Sequence, residues 1–210
     1  MTFQFGYSMS PMFLNPDKPL YTCKAETCEG CELAEKLICY FNIRQLLVFL
    51  LIASPFLMVA GYIICNTSVP LFISWILFMI AFFGFIEIRV MCSHCPHYAE
   101  PEIDSLKCWA NYGSPKLWKY RPGPLPVMEK FVFYSGICVI MGMPFIFIIL
   151  QKRYLLLIIY TVLIILWKIR LKILYCNHCI NFACPFNNVD AEVKNQFFIK
   201  NPSVRKAWRK

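Results

Sequence analysis

Long stretches without charge alternate along the chain with shorter segments rich in polar and charged residues. Residues 45–86 contain no charged side chain, and only the polar segment 66–70 interrupts them, where the sequence predicts a tight turn. A second uncharged run covers residues 131–150. Because about 20 apolar residues in helical form cross a hydrocarbon core, these runs predict three spanning helices, the first two joined as a hairpin.

A fourth uncharged run, residues 154–167, is shorter than the others. As a helix it would measure about 21 Å, less than the roughly 30 Å of a hydrocarbon core. It crosses only if Lys152, Arg153 and Lys168 extend toward the two interfaces; the alternative is a helix that lies in one interface. We predict an all-α integral membrane protein whose four transmembrane helices form two hairpins.

The distribution of basic residues predicts the orientation of these spans. Four spans place both termini and the loop between the hairpins on one side, and two short turns on the other. Of the 21 lysines and arginines, only Lys152 and Arg153 fall on the short-turn side, which leaves 19 on or near the other. The positive-inside rule makes that side cytoplasmic. We also expect no cleaved signal peptide, since residues 1–40 contain no apolar core of the required length.

Composition agrees with a chain whose main solvent is lipid. Hydrophobic residues make up 59% and charged residues only 16% of the sequence, which lies outside the range of soluble proteins. The first expected partner is therefore the lipid bilayer. The net charge of +9 is explained by topology, so we expect no nucleic-acid partner.

Twelve cysteines are the main candidates for chemistry. Cys65 and Cys138 fall in or at the ends of predicted spans, where cysteine is usually a small apolar side chain. The other ten lie on the basic side. In a reducing cytosol such clusters favour metal ligands over disulfides. Thiol–disulfide exchange becomes the alternative if that side is extracytoplasmic.

The second and fourth predicted spans end in similar motifs. Residues 89–95 and 172–179 each contain a basic residue, then apolar residues, then Cys-x-His-Cys, and a third cysteine follows in both, Cys108 and Cys184. We interpret this as an internal repeat of two hairpins, each carrying a cysteine cluster. Repeats of this kind occur in membrane proteins.

Three Cys-x-x-Cys pairs predict metal binding, because this spacing lets two thiolates reach one metal from a single turn. The N-terminal group supplies four ligands for one centre, and its first three members have the spacing that begins the plant-type ferredoxin motif: Cys23, Cys28, Cys31 and Cys39. Six further cysteines predict one or two more centres: Cys92, Cys95, Cys108, Cys176, Cys179 and Cys184. Iron–sulfur clusters, of the [4Fe–4S] kind, and zinc both accept such ligands.

All three histidines lie in these motifs. His94 and His178 sit between two candidate ligands and are expected to hydrogen-bond to neighbouring groups. His97 is the better candidate as a metal ligand. The alternative is that all three are ordinary histidines of the membrane interface.

Between residues 109 and 124, aromatic and basic residues alternate. Lys116, Lys119 and Arg121 are candidates to bind an anionic cofactor, substrate or protein partner; the alternative is an interfacial belt of aromatic and basic side chains. Glu87 is the only acidic residue within a predicted span. It is expected either to pair with Arg89 or a neighbour, or to transfer protons near a quinone.

A Cys-Pro step occurs after each of these spans, Cys95-Pro96 and Cys184-Pro185. In this the chain resembles the four-helix membrane iron–sulfur subunits of periplasmic nitrate reductase and nitrous-oxide reductase systems. The resemblance covers the hairpin plan and these two short motifs. It implies a quinol dehydrogenase type of protein, which moves electrons from quinol with the help of cysteine-proline motifs at a cytoplasmic face.

The sequence therefore predicts five regions: a cytoplasmic Cys-rich segment (1–42), a first transmembrane hairpin (43–91), a cytoplasmic Cys/His and aromatic-basic loop (92–130), a second hairpin (131–175) and a cytoplasmic Cys-rich segment (176–210). The predicted function is electron transfer through iron–sulfur clusters between a cytosolic-side redox partner and quinone or another membrane subunit. The alternatives are a zinc-stabilised scaffold or assembly factor and a membrane metalloenzyme acting on an anionic substrate. Metal transport is disfavoured because polar groups in the spans are few.

Overall fold

The computed structural model describes residues 20–101 and 104–209, and its main elements are helices. In chain order they are α1 (Ile43–Thr67), α2 (Val69–Ala81), α3 (Glu87–Val90), α4 (Val127–Leu150), α5 (Tyr154–Leu171), α6 (Ala191–Lys200) and α7 (Pro202–Trp208). Two short strands, β1 (Ser105–Lys107) and β2 (Tyr112–Pro115), pair antiparallel. Within these described residues, four helical stretches are long and apolar enough to cross a membrane, which confirms that part of the prediction.

The first two spans form the expected hairpin. Asn42 caps α1, because its side chain accepts a hydrogen bond from the Arg44 backbone N–H at 2.9 Å. Ser68 adopts an extended conformation and separates α1 from α2. A π-helical turn, Phe82–Ile86, then joins α2 to α3, and the whole apolar stretch covers Val69–His94.

The fourth span is longer than its uncharged run. A π-helical turn, Lys172–Cys176, extends α5, so the apolar stretch is 23 residues, Tyr154–Cys176. Such a helix measures about 35 Å. The sequence underestimates it because Lys168, Arg170 and Lys172 all lie on the helix itself.

Helix α1 packs against α2, α4 and α5. The amide of Gln151, in the second short turn, donates to the Thr67 hydroxyl at the end of α1 (2.6 Å), so the two turns lie together. Between the helices, buried aromatic side chains direct their polar atoms at backbone carbonyls: Trp75 donates to Ile140 (3.2 Å) and Tyr160 to Met141 (3.1 Å).

Most apolar side chains of these helices point outward. Only 28% of the most apolar 18-residue window in α1 and in α4 is buried, and 11% in the other two spans. Leu51 and Leu155, for example, are 70% and 72% exposed. Soluble proteins rarely expose so continuous an apolar surface, whereas a bilayer covers it.

A second core lies outside the spans and joins the N-terminal segment to the C-terminal helices. Its buried members are Leu33, Leu37, Cys95, Ile180, Phe182, Phe197 and Val204. Backbone contacts support it, since the Lys24 N–H donates to the Lys200 carbonyl at 3.0 Å. The cysteine-containing segments therefore form a packed unit.

We predict that Gly136 in α4 cannot be enlarged without cost. A Cβ atom there would collide with the ring of Phe82, which is 1% exposed and packs between spans. Gly136→Ala should lower the free energy of unfolding by about 1–3 kcal/mol, measured as a lower unfolding temperature in detergent. Gly142→Ala is the matched control on the same helix, since its Cβ would meet only the Cys138 Sγ at 3.9 Å. Equal unfolding temperatures for the two variants would contradict this packing.

Candidate metal centres

The four N-terminal cysteines predicted as ligands come together in one group. Tight turns place them, with the Cys23 N–H bonded to the Leu20 carbonyl (2.8 Å) and the Cys31 N–H to the Cys28 carbonyl (3.1 Å). Burial, and then the charges of Cys28, Cys31 and Cys23, raise the pKa of the Cys39 thiol to about 12. Each of the other three thiols is thus close enough to Cys39 for their charges to interact.

Cys31 differs from Cys39 in its electrostatic surroundings. Burial acts to raise its pKa, but the backbone N–H groups of Leu33 and Ala34 and the Lys200 ammonium outweigh burial, so the pKa of Cys31 lies below its usual value. The Lys200 Nζ is 3.3 Å from the Cys31 Sγ. The C-terminal helix α6 therefore stabilises a thiolate of the N-terminal group.

The other six cysteines form a second group in which the two halves of the repeat meet. The Cys95 thiol interacts electrostatically with Cys179, Cys108 and Cys184. Cys92 lies near Cys95 and Cys108, and Cys176 lies near Cys179 and Cys184. All six predicted ligands therefore lie close together. Cysteines that follow the first hairpin lie near cysteines that follow the second.

Backbone N–H groups point at the sulfur atoms in a repeated manner. At five cysteines the backbone N–H of the residue two positions later acts to lower the pKa of the thiol; the pairs are Cys31 with Leu33, Cys95 with His97, Cys108 with Ala110, Cys179 with Asn181, and Cys184 with Phe186. The Asn181 N–H donates to the Cys179 Sγ at 3.4 Å, and the Trp109 indole also acts to lower the pKa of Cys179. Hydrogen bonds of this kind stabilise negatively charged sulfur and tune metal–thiolate sites. Cysteine spacing did not predict these interactions, because they depend on loop conformation.

Burial works against these hydrogen bonds. It is the largest influence on the Cys95, Cys108, Cys179 and Cys184 thiols and raises the pKa of each, that of Cys108 to about 12. Without a compensating cation these thiols stay protonated at neutral pH. A metal cation would favour the thiolate forms, as metal binding to cysteine releases protons.

Hydrogen bonds between the backbone segments around Ile38 and His178 join the two cysteine groups; we call this connection the strap. Ile38, next to Cys39, pairs in parallel with Cys179, and its N–H donates to the His178 carbonyl at 2.7 Å. The His178 Nδ1 lies 2.9 Å from the Lys36 carbonyl. The strap therefore runs directly from a candidate ligand of one group to a candidate ligand of the other.

His97 completes this strap from the second group. Its Nε2 lies 3.3 Å from the Ile38 carbonyl, and burial lowers the pKa of His97 to about 4, so the neutral ring donates through Nε2. That leaves Nδ1 as an acceptor, the arrangement typical of a metal-bound histidine. That His97 is a metal ligand stays a prediction, and its hydrogen bond to Ile38 is compatible with that role.

His94 makes a different set of contacts. Its Nε2 is 2.9 Å from Glu129 and its Nδ1 is 3.2 Å from the Gly123 carbonyl, so both ring nitrogens face oxygen atoms. Glu129 also pairs with Arg121 at 2.7 Å and with Arg89 at 3.3 Å. Glu129 thus links the aromatic-basic loop to the Cys-x-His-Cys motif. The sequence did not mark it as a site residue, because Glu129 lies two positions before the uncharged run 131–150 from which the span was predicted.

The three basic residues predicted to bind an anion have separate surroundings. Arg121 is paired with Glu129. Lys116 donates to the Glu100 carbonyl at 2.6 Å and lies over the Tyr98 ring, while Lys119 is exposed. A common anion site at these residues stays a prediction.

Glu87 bonds to a neighbour other than Arg89. The Cys92 thiol lies 3.4 Å from a Glu87 carboxylate oxygen, whereas Arg89 reaches Glu129. Of the expected partners, Arg89 or a neighbour, it is the neighbouring Cys92 that reaches the carboxylate, because the end of the span brings the thiol back toward it.

The thiols are close to one another but are not arranged as a coordination site for one ion. Across residues 20–101 and 104–209, no group of three or more His, Cys, Asp or Glu side chains is arranged so as to hold a metal ion. The described residues provide ten cysteines in two groups, with backbone N–H groups that favour the thiolate form at five of them.

We predict that, in metal-free protein, Cys31 is alkylated faster than Cys39. The lowered pKa of Cys31 gives more thiolate at slightly alkaline pH than the raised pKa of Cys39, and the thiolate is the nucleophile. Lys200→Met should slow Cys31 alkylation several-fold, as measured by mass spectrometry of iodoacetamide-treated protein. Lys206→Met, at an exposed position of α7, is the control and should leave the rate unchanged; equal slowing in both variants would rule out a specific Lys200 contact.

Comparison with known proteins adds no relative. No family model, no curated protein and no solved structure matches the chain, so the resemblance to the membrane iron–sulfur subunits rests on the sequence motifs alone.

Proposed function

We propose that this chain is a membrane-bound iron–sulfur protein that carries electrons between a partner on the cytoplasmic side and quinone or another membrane subunit. The observation that supports the proposal most directly is the convergence of ten thiols in two groups, in which nearby backbone N–H groups act to stabilise the thiolate forms. Donors placed in this way stabilise thiolate ligands and set the reduction potential of the centre they bind.

The donor set fits iron–sulfur clusters in its chemistry. Such clusters are held by cysteine thiolates, and each cysteine group here contains at least four. We assign Cys23, Cys28, Cys31 and Cys39 to one [4Fe–4S] centre. We assign the second group, with His97 as an additional candidate, to one or two more. When bound, a cluster supplies the capacity to accept and release single electrons.

The strap of Ile38 and His178 suits electron movement between the two groups. It keeps Cys39 and Cys179 on hydrogen-bonded backbone segments, a covalent and hydrogen-bonded route along which electrons would pass between the groups. From Cys179, the Trp109 ring stacks on Tyr175 with centroids 4.5 Å apart, and Phe49 of α1 packs edge-on against Trp109 at 5.3 Å. These rings lead from the second group toward the spans, where a quinone or a membrane subunit would be reached.

Charge supports a cytoplasmic location for the cysteine groups. The two short turns that contact each other contain Lys152 and Arg153, while the other 19 basic residues lie elsewhere in the chain. By the positive-inside rule, the termini and the central loop then face the cytoplasm. The reducing cytosol also keeps the thiols available for metal.

A zinc-stabilised scaffold is the second candidate, favoured by the way the cysteine segments hold three parts of the chain together through the second core. Zinc accepts the same thiolates and carries no redox chemistry. The two functions differ in what the bound metal is and in whether the protein has a reduction potential.

We predict that Cys28→Ser/Cys31→Ser removes the metal of the N-terminal group and leaves that of the second group. Iron per chain should fall by one cluster's content in protein purified without oxygen, while the variant still inserts into membranes. Cys65→Ser/Cys138→Ser is the matched control, since both residues lie on exposed surfaces of spans. Iron unchanged in the first variant would refute the N-terminal centre.

We predict that Trp109→Phe lowers the reduction potential of the second group without changing its metal content. The indole of Trp109 acts to stabilise the Cys179 thiolate, and its loss removes an interaction that is stronger in the more negative, reduced state. The expected shift is about 40 mV, equivalent to roughly 1 kcal/mol in a one-electron couple. Potentiometric titration followed by electron paramagnetic resonance measures it. Trp118→Phe, at an exposed position, should leave the potential unchanged; a similar shift in both would contradict the assignment.

A further inference from the structure

A basic cleft opens between α6 and α7, and no cysteine is among the described residues that line it. Its volume is about 290 Å³, and its lining includes Lys194, Asn195, Phe198, Arg205, Trp208 and Arg209. Three of these side chains are cationic and none is acidic. A concave surface with this charge is a candidate site for an anion.

Lys194 is held in place by aromatic rings. Its Nζ lies 4.0 Å from the centroid of the Trp208 ring, 5.6 Å from that of Phe198 and 5.5 Å from that of Phe182. Cation–π attraction of this kind fixes the ammonium group without neutralising its charge. An anion that enters the cleft therefore meets a cation already in position.

Two arginines supply the rest of the positive charge. Arg205 and Arg209 are four positions apart on and just after α7, so they project from the same side of the helix. In the described part of the chain, salt bridges involve Arg89, His94, Arg121 and Glu129 but neither of these arginines. Their guanidinium groups are therefore available to a ligand.

We propose that this cleft binds the phosphate group of an anionic ligand. A guanidinium pairs two parallel N–H groups with two phosphate oxygens, and a lysine adds a point charge. The Trp208 ring offers an apolar face to whatever the phosphate is attached to. The site is independent of metal, and its failure would leave the iron–sulfur proposal untouched.

The position of the cleft makes a lipid headgroup one source of this phosphate. The carbonyl of Ala207 would lie 3.2 Å from a Cβ at Gly123, whose φ is +120°, so α7 packs tightly against the segment that leads into α4. Trp208 also contacts the core of the spans. The cleft thus lies near the start of an apolar helix, where headgroup phosphates are found; a soluble phosphate ligand has the same chemistry.

The test uses the full chain with its metal, purified in a neutral detergent. Arg205→Gln/Arg209→Gln removes two charges from the cleft, and Lys36→Gln/Lys206→Gln removes two charges from exposed positions outside it. One arm measures binding of phosphatidylglycerol by native mass spectrometry. The other measures binding of inorganic pyrophosphate by calorimetry. Lys194→Met, on the α6 side of the cleft, is a second variant. It removes the charge but keeps an apolar side chain among the rings of Phe182, Phe198 and Trp208.

The expected result is that at least one probe binds wild-type protein and binds the arginine variant about a hundredfold more weakly, roughly tenfold for each of the two arginines that the substitutions remove. Lys194→Met should weaken the same probe, and the exposed-lysine control should bind as wild type does. Phosphatidylglycerol alone would identify a lipid headgroup, and pyrophosphate alone a soluble phosphate. Binding of neither probe, or equal weakening in the arginine variant and the control, would overturn the proposal.

Discussion

The cost of forming thiolates at buried, closely placed cysteines is the constraint on which the cysteine-containing part of this molecule depends. Burial and neighbouring charges raise the pKa of Cys39 and burial raises that of Cys108, each to about 12, so thiolates form there only with compensation. Backbone amides, the Trp109 indole and the Lys200 ammonium supply part of it. In the proposed function, a bound cluster would supply the rest of the compensating positive charge, because its iron atoms would be ligated by the thiolates.

The apolar helices determine where these thiols meet. The Cys-x-His-Cys motifs follow directly from the ends of the second and fourth spans, so the packing of the hairpins brings the two motifs together. Each of these spans contains a π-helical turn, Phe82–Ile86 or Lys172–Cys176, a local change of helical geometry often found at functional sites. The ion pairs of Glu129 then hold the central loop against the first motif.

Hydrophobic runs alone predict most of the fold, because lipid imposes a length and composition on any helix that crosses it. The fourth span shows the limit of this reasoning: Lys168 interrupts the uncharged run, yet the helix continues to Cys176. Cysteine spacing likewise identified the thiols that the structure groups together, since Cys-x-x-Cys pairs are local. Periodicity and spacing do not encode the remaining features. The interactions of backbone N–H groups with cysteine sulfurs depend on loop geometry. The strap at Ile38 and the cleft beside Trp208 join residues that are distant in sequence.

The most direct test of the central claim is a determination of iron, acid-labile sulfide and zinc in the wild-type protein, purified in detergent without oxygen, together with its visible absorbance spectrum. If the two cysteine groups hold iron–sulfur clusters, iron and sulfide will be present in near-equal amounts, with broad visible absorbance that bleaches on reduction. Zinc in a colourless protein without sulfide would contradict the account and assign the thiols to a structural scaffold.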